Sequence, residues 1–157
     1  MTTDVNARLE KIESERELTR LVYNYCHGLD RKDADLFLSI WHDDARYTTN
    51  SPFGNHIGKT QIKGALTEKM WPAFKHGHHW TINLVIDING DEARALSNFT
   101  FQGEGADGTA MMIAGTYHDE FSRRDGRWGI DQRRIETHHF APLPGVSFAT
   151  PEWAVLP

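Results

Sequence analysis

Four alternating stretches joined by short turns fill the second half of this chain, and they limit its possible folds more than any other feature. Between residues 81 and 88, Ile82, Leu84, Ile86 and Ile88 alternate with Thr81, Asn83, Val85 and Asp87, a period of two. "NGDE" at 89–92 is a hairpin signal. Strands then fit 93–103, 109–122 and 127–139, parted by "GADG" and "RRDG". Turns this short make antiparallel neighbours, because a parallel pair needs a crossover of roughly a dozen residues or more.

The first half carries the helical period instead. "SERE" at Ser14 to Glu17 reads as a capping box. Behind it Leu18, Leu21, Val22, Tyr25 and Leu29 form one apolar stripe. Asp33 can cap a second short helix running through Trp41, with Leu36, Phe37 and Ile40 apolar. "ARYTTN" (45–50) suggests a short strand and "SPFGNHIG" (51–58) a loop. A third helix fits 59–71, stopped at Pro72. Helices followed by strands predict the α+β class. The length of 157 residues suits one domain, 1–157, with an N-terminal arm at 1–13. Its tail at 141–157 has four prolines and Val146, Phe148, Trp153, Val155 and Leu156. That stretch is too apolar to lie free in water, so it is expected to pack on the body or on a neighbouring subunit.

Charge and composition narrow the partners. The net charge of −5, with no basic block, argues against nucleic acid. No apolar run approaches the roughly 20 residues that span a bilayer. The charged N-terminus lacks the apolar core of a signal peptide, and the single cysteine, Cys26, excludes an internal disulfide. A cytoplasmic enzyme or binding protein is the expectation.

A sheet curled around helices would make a cone with an apolar interior, fit for a small hydrophobic ligand and a few inward polar groups. Tyr25 lies on the helical stripe. Asp30 sits at its edge, near the helix end, where it could meet a strand carrying His79. A carboxylate bonded to one imidazole nitrogen leaves the other free as a base. Spacing alone leaves Asp30 open to a plainer reading, a solvated aspartate in "LDRKDAD". Of Arg133 and Arg134 on the last strand, one should point inward, where it could stabilise a leaving group. The plainer reading is a surface ion pair with Asp131 or Glu136. The cluster His76, His78 and His79 raises the question of a metal. On a strand neighbouring histidines point apart, and neither HExxH nor CxxC is present, so no metal is expected.

The stretches "LDRKDADLFLSIWHDDARYT" (29–48), "WPAFKHGHHWTINL" (71–84), "YHDEFSRRDGRW" (117–128) and "FAPLPGVSFATP" (140–151) together resemble the SnoaL-like branch of the nuclear transport factor 2-like superfamily. The resemblance covers most of the chain from about residue 15. It implies a cone of helices on a strongly bent, mixed, mainly antiparallel sheet, no cofactor, and a homo-oligomer, commonly a trimer. It places the family's catalytic Asp–His dyad on Asp30 and His79, and its active-site arginine on Arg133. His76 and His78 then become local loop residues. Dehydrochlorinating members have lysine five residues before the aspartate, where this chain has Tyr25. Dehydratases of the superfamily have tyrosine there. The resemblance therefore implies a cofactor-independent lyase that eliminates water from a small hydrophobic, cyclic substrate, with Tyr25 and Arg133 assisting departure. A dehydrochlorinase, an isomerase or cyclase, and a non-catalytic accessory subunit are the alternatives. One point resists this picture. On a regular strand His79 points away from the Ile82–Ile88 stripe, and only a bulge near Trp80 or a sheet buried on both faces would reconcile them.

Overall fold

The computed structural model describes residues 5–148. Helix α1 runs Val5–Asp30, α2 Ala34–Ser39, and α3 Lys59–Ala65. A π-helical turn at Leu66–Met70 and the short α4, Trp71–Ala73, continue α3. The strands are β1 Trp41–Thr49, β2 His56–Ile57, β3 Phe74–Asn89, β4 Glu92–Gly105, β5 Ala110–Arg124 and β6 Arg127–Pro142. They form one six-stranded sheet in the order β2-β1-β6-β5-β4-β3. β1 pairs with β6 in parallel and every other pairing is antiparallel, so the sheet is mixed. Trp153, Val155 and Leu156 of the expected packed tail lie outside the described residues. No helix among the described residues is long and apolar enough to cross a membrane.

Helix α1 corrects the expected start at Ser14. It already runs from Val5, and Ser14 is buried within it. "VNARLEKIE" contains good helix formers and no breaker, so nothing stops the helix from extending past the capping-box motif. At its other end Asp33 N–H bonds Gly28 C=O at 2.9 Å and Lys32 N–H bonds Leu29 C=O at 3.4 Å. These are the two bonds of a Schellman cap. Lys32 takes the left-handed position at φ 56° that glycine usually fills, at a cost of about 1 kcal/mol. Asp33 then caps α2 as expected, accepting from Leu36 N–H at 2.9 Å. α2 ends before Trp41, which already belongs to β1. A Cβ on Gly28 would stand 2.7 Å from Phe37 N, so α1 and α2 cross backbone to backbone there.

Alternation along the sheet separates the core from the outside. Ala93, Ala95, Ser97, Phe99 and Phe101 of β4 are buried, and Arg94, Leu96 and Asn98 between them are exposed. Leu18 and Val22 of α1, Phe37 of α2 and Ile62 of α3 complete the core without exposure.

Strand β3 starts at Phe74, so His76 and His78 lie on a strand and not in a loop. It also resolves the orientation of His79. Ile82 pairs with Asn98, but Val85 pairs with Leu96, leaving one extra residue on β3. Asn83 absorbs it at φ 55°, a region asparagine tolerates better than most side chains. This bulge reverses the phase of the strand. His79 and Thr81 therefore share the inward face with Leu84, Ile86 and Ile88, and Ile82 turns outward at 52% exposure. The bulge sits three residues beyond the expected Trp80.

Candidate active site

The concave side of the sheet and the end of α1 enclose a cleft of about 740 Å³, open mouth included. Its walls are mainly apolar, with Met70, Trp71, Phe74, Phe99, Phe101 and Ile113 among them. Trp71 donates its indole N–H to the Leu29 carbonyl at 3.0 Å, which ties the α4 wall to the end of α1. Tyr25, Asp30, Tyr47, His79 and Tyr117, all able to move or hold a proton, line the same space, as do His76 and Lys32.

Asp30 and His79 meet across 49 positions of sequence. Asp30 Oδ1 lies 2.5 Å from His79 Nδ1, and Asp30 Oδ2 accepts the His79 backbone N–H at 2.8 Å. Both side chains are only 11% exposed. Two points of attachment fix the carboxylate relative to the ring, and the end of α1 and the strand β3 hold the two backbones. The ring rests on Phe101, with centroids 4.7 Å apart. With Nδ1 facing the carboxylate, Nδ1 carries the proton in the neutral ring. Nε2 keeps its lone pair and has no hydrogen-bond partner among the described residues.

Tyr25 stands beside the dyad, its ring 6.4 Å from the imidazole and nearly perpendicular to it. Its hydroxyl lies 3.5 Å from that of Tyr47. Burial, then the neighbouring Tyr47 and Tyr117, push the Tyr25 phenol well above its usual value, and Arg133 only partly opposes this. Tyr47 is pushed up to about 12, chiefly by burial. Tyr25 is therefore a neutral phenol at physiological pH, able to donate a hydrogen bond or a proton.

Arg133 is the inward member of its pair and is fully buried, and Arg134 is exposed beside Glu136 at 3.3 Å. Arg133 does not line the cleft. Its guanidinium lies 4.2 Å from the Tyr25 ring centre and 4.3 Å from that of Tyr117. It makes a bidentate pair with Asp119, both contacts 2.7 Å, and Nη1 is left without a partner. Burial would lower its pKa, but the Asp119 charge outweighs that and keeps it raised. Of the surface pairs considered from sequence, Arg134 makes the one with Glu136, while Asp131 is held by Ser122 and Arg124.

Asp119, Tyr47 and Tyr117 were not foreseen. Asp119 had a signal, since it alternates in phase with Tyr117 and Phe121 and so had to face inward. A charge on an inward position asks for a partner. Tyr47 lies on β1, whose parallel pairing with β6 no local pattern announces.

His76, His78 and His79 do not converge. His76 lies 3.3 Å from Glu104, His78 is turned out near Trp80, and His79 holds Asp30. Among the described residues no three His, Cys, Asp or Glu side chains are grouped as a metal site would require.

Comparison with known proteins gives consistent relatives. Residues 10–134 match the SnoaL-like domain. Gamma-hexachlorocyclohexane dehydrochlorinase of Sphingobium indicum is 28% identical over 145 residues, which is 91% of this chain and 92% of that protein. The crystal structure of LinA superposes with a TM-score of 0.88 at 27% identity, covering 92% of this chain and 99% of that one. A structure described as a putative scytalone dehydratase from Novosphingobium aromaticivorans superposes at 0.76 with 20% identity, covering 90% and 95%, a likeness of fold alone.

Proposed function

The chain belongs to the SnoaL-like domain family, and from that premise we propose that it is a cofactor-independent lyase acting on a small hydrophobic, cyclic substrate. The observation that carries this reading is the Asp30–His79 contact facing an apolar cleft, with His79 Nε2 unengaged. Relatives with the whole architecture in common are dehydrochlorinases, which are lyases.

In the proposed mechanism His79 Nε2 removes a proton from a carbon next to an activating group. Asp30 keeps the tautomer and supports the imidazolium that forms. Electrons of the broken C–H bond form the new double bond as the leaving group departs from the neighbouring carbon. If that group is hydroxide, it needs a proton, and the neutral Tyr25 phenol is placed to give one. Arg133 does not reach the leaving group itself. Its positive charge lies against the Tyr25 and Tyr117 rings, so its help is given through those phenols.

Water and halide make different demands, and the names of the relatives favour keeping the second in view. Chloride leaves without a proton. Tyr25→Phe should therefore lower kcat by about 10²-fold or more if the substrate is dehydrated, the usual worth of a general acid. It should be nearly silent if the substrate is dehydrohalogenated. Steady-state rates of the two proteins decide between them, and a silent Tyr25→Phe removes the dehydratase reading while leaving the dyad in place.

The working assembly is proposed to be a homo-oligomer, a trimer by the family resemblance. Trp80, Ile82, Val85 and Leu96 support this, since all stand exposed on the outer face of the sheet. Light scattering at micromolar concentration should give a multiple of the 17.9 kDa chain mass. A clean monomer contradicts it.

A further inference from the structure

The mouth of the cleft carries a charge that the elimination chemistry does not use. Lys32 lines the cleft two residues beyond Asp30, and its side chain is exposed. Among the described residues no carboxylate pairs with it. Asp30 is engaged by His79, Asp33 caps α2, and Glu104 is held by Lys75 at 2.6 Å and His76 at 3.3 Å; the exposed Asp35 makes no ion pair with Lys32. His76 lines the mouth as well. Lys32 therefore presents an ammonium without a carboxylate partner among the described residues at the open end of a mainly apolar cleft, in a chain whose net charge is −5.

A second observation concerns the backbone. Lys32 occupies the left-handed position of the α1 cap, φ 56°, where glycine is the unstrained choice. A strained residue kept at the rim of a functional cleft points to a use for its side chain.

We propose that Lys32 selects substrates bearing a carboxylate on the end that remains at the mouth while their ring enters the apolar interior. This rests on reading the cleft as the substrate site. A lysine is a compact point charge without the fork of arginine; one such cation neutralises a monoanion, whereas a phosphate dianion would keep an uncompensated charge in a cleft that also holds the Asp30 carboxylate. The ligand class is then a cyclic carboxylic acid, its ring against Phe99 and Phe101 and its carboxylate on the Lys32 ammonium.

The test is a calorimetric titration with 2-naphthoate, its neutral amide 2-naphthamide, and 2-naphthyl phosphate, on wild type, Lys32→Gly, Lys32→Arg and His79→Ala. Wild type should bind naphthoate about fivefold more tightly than the amide, the upper range for a solvated ion pair, and the margin should shrink in high salt. Lys32→Gly should erase that margin without lowering the melting temperature, since glycine relieves the backbone. Lys32→Arg and His79→Ala should keep it. The anion preference is thus read separately from turnover, so either reading can fail while the other stands. Failure of naphthoate to bind, equal affinity for acid and amide, or a preference that survives Lys32→Gly would overturn the proposal. So would a Lys32→Gly protein that melts lower with its naphthoate affinity intact, which would make Lys32 a helix cap only. Tighter binding of naphthyl phosphate would overturn the assignment to a monoanion.

Discussion

His79→Ala is expected to lower kcat by about 10⁴-fold, the upper end of what a positioned general base supplies. The reason is positional. Among the described residues lining the cleft, His79 is the largely buried histidine hydrogen-bonded to a carboxylate, with its other ring nitrogen unengaged. The phenols beside it are held neutral by burial and cannot take its place as bases near pH 7. His76, the other lining histidine, is exposed at the mouth and faces Glu104. Because the His79 ring also packs on Phe101, His79→Gln is the companion variant that keeps most of the volume. Circular dichroism on both separates lost chemistry from lost fold. An Ala variant with more than a tenth of wild-type turnover would remove the mechanism.

Asp30→Asn should cost about as much, roughly 10⁴-fold, as the loss of an orienting carboxylate does in other dyads and triads. The geometry explains why an isosteric change is so harmful. Asp30 uses both oxygens as acceptors, one for the ring and one for the His79 backbone N–H. Asparagine has one acceptor. If its oxygen stays on the backbone N–H, its amide N–H₂ faces Nδ1 and makes that nitrogen the acceptor. The ring proton then moves to Nε2, and the atom that should abstract a proton already holds one. Nitrogen-15 NMR of the labelled imidazole reads this directly. The neutral ring should carry its proton on Nδ1 in the wild type and on Nε2 in Asp30→Asn. An unchanged tautomer with full activity would show that Asp30 does not orient the base.

The two periodicities in the sequence made the helix-then-sheet architecture legible, because each strand buries one face and each helix one stripe. Features that depend on single backbone distortions were not. Asn83 at φ 55° moves Ile82 out and aligns His79 with the core, and nothing in an alternating run marks which residue is the extra one. The length of α1 was underestimated for a related reason. A capping motif stabilises a helix start but cannot force one when the residues before it are also good helix formers. The positions of Tyr25, Asp30 and His79 were readable as candidates, and the family resemblance linked the last two. The setting of Arg133 was not readable, because its partner Asp119 comes from a neighbouring strand and the two rings flanking it come from α1 and β5.

Solvent-deuterium exchange tests the proton-abstracting role of His79 most directly, since it needs neither the true substrate nor a leaving group. Cyclic ketones incubated in D₂O would be followed by NMR for label at the carbon next to the carbonyl. Wild type should accelerate incorporation into at least one of them, and His79→Ala should run at the buffer rate. Exchange as fast in His79→Ala as in wild type, or no ketone exchanged by wild type at all, would contradict the assignment of His79 as the base.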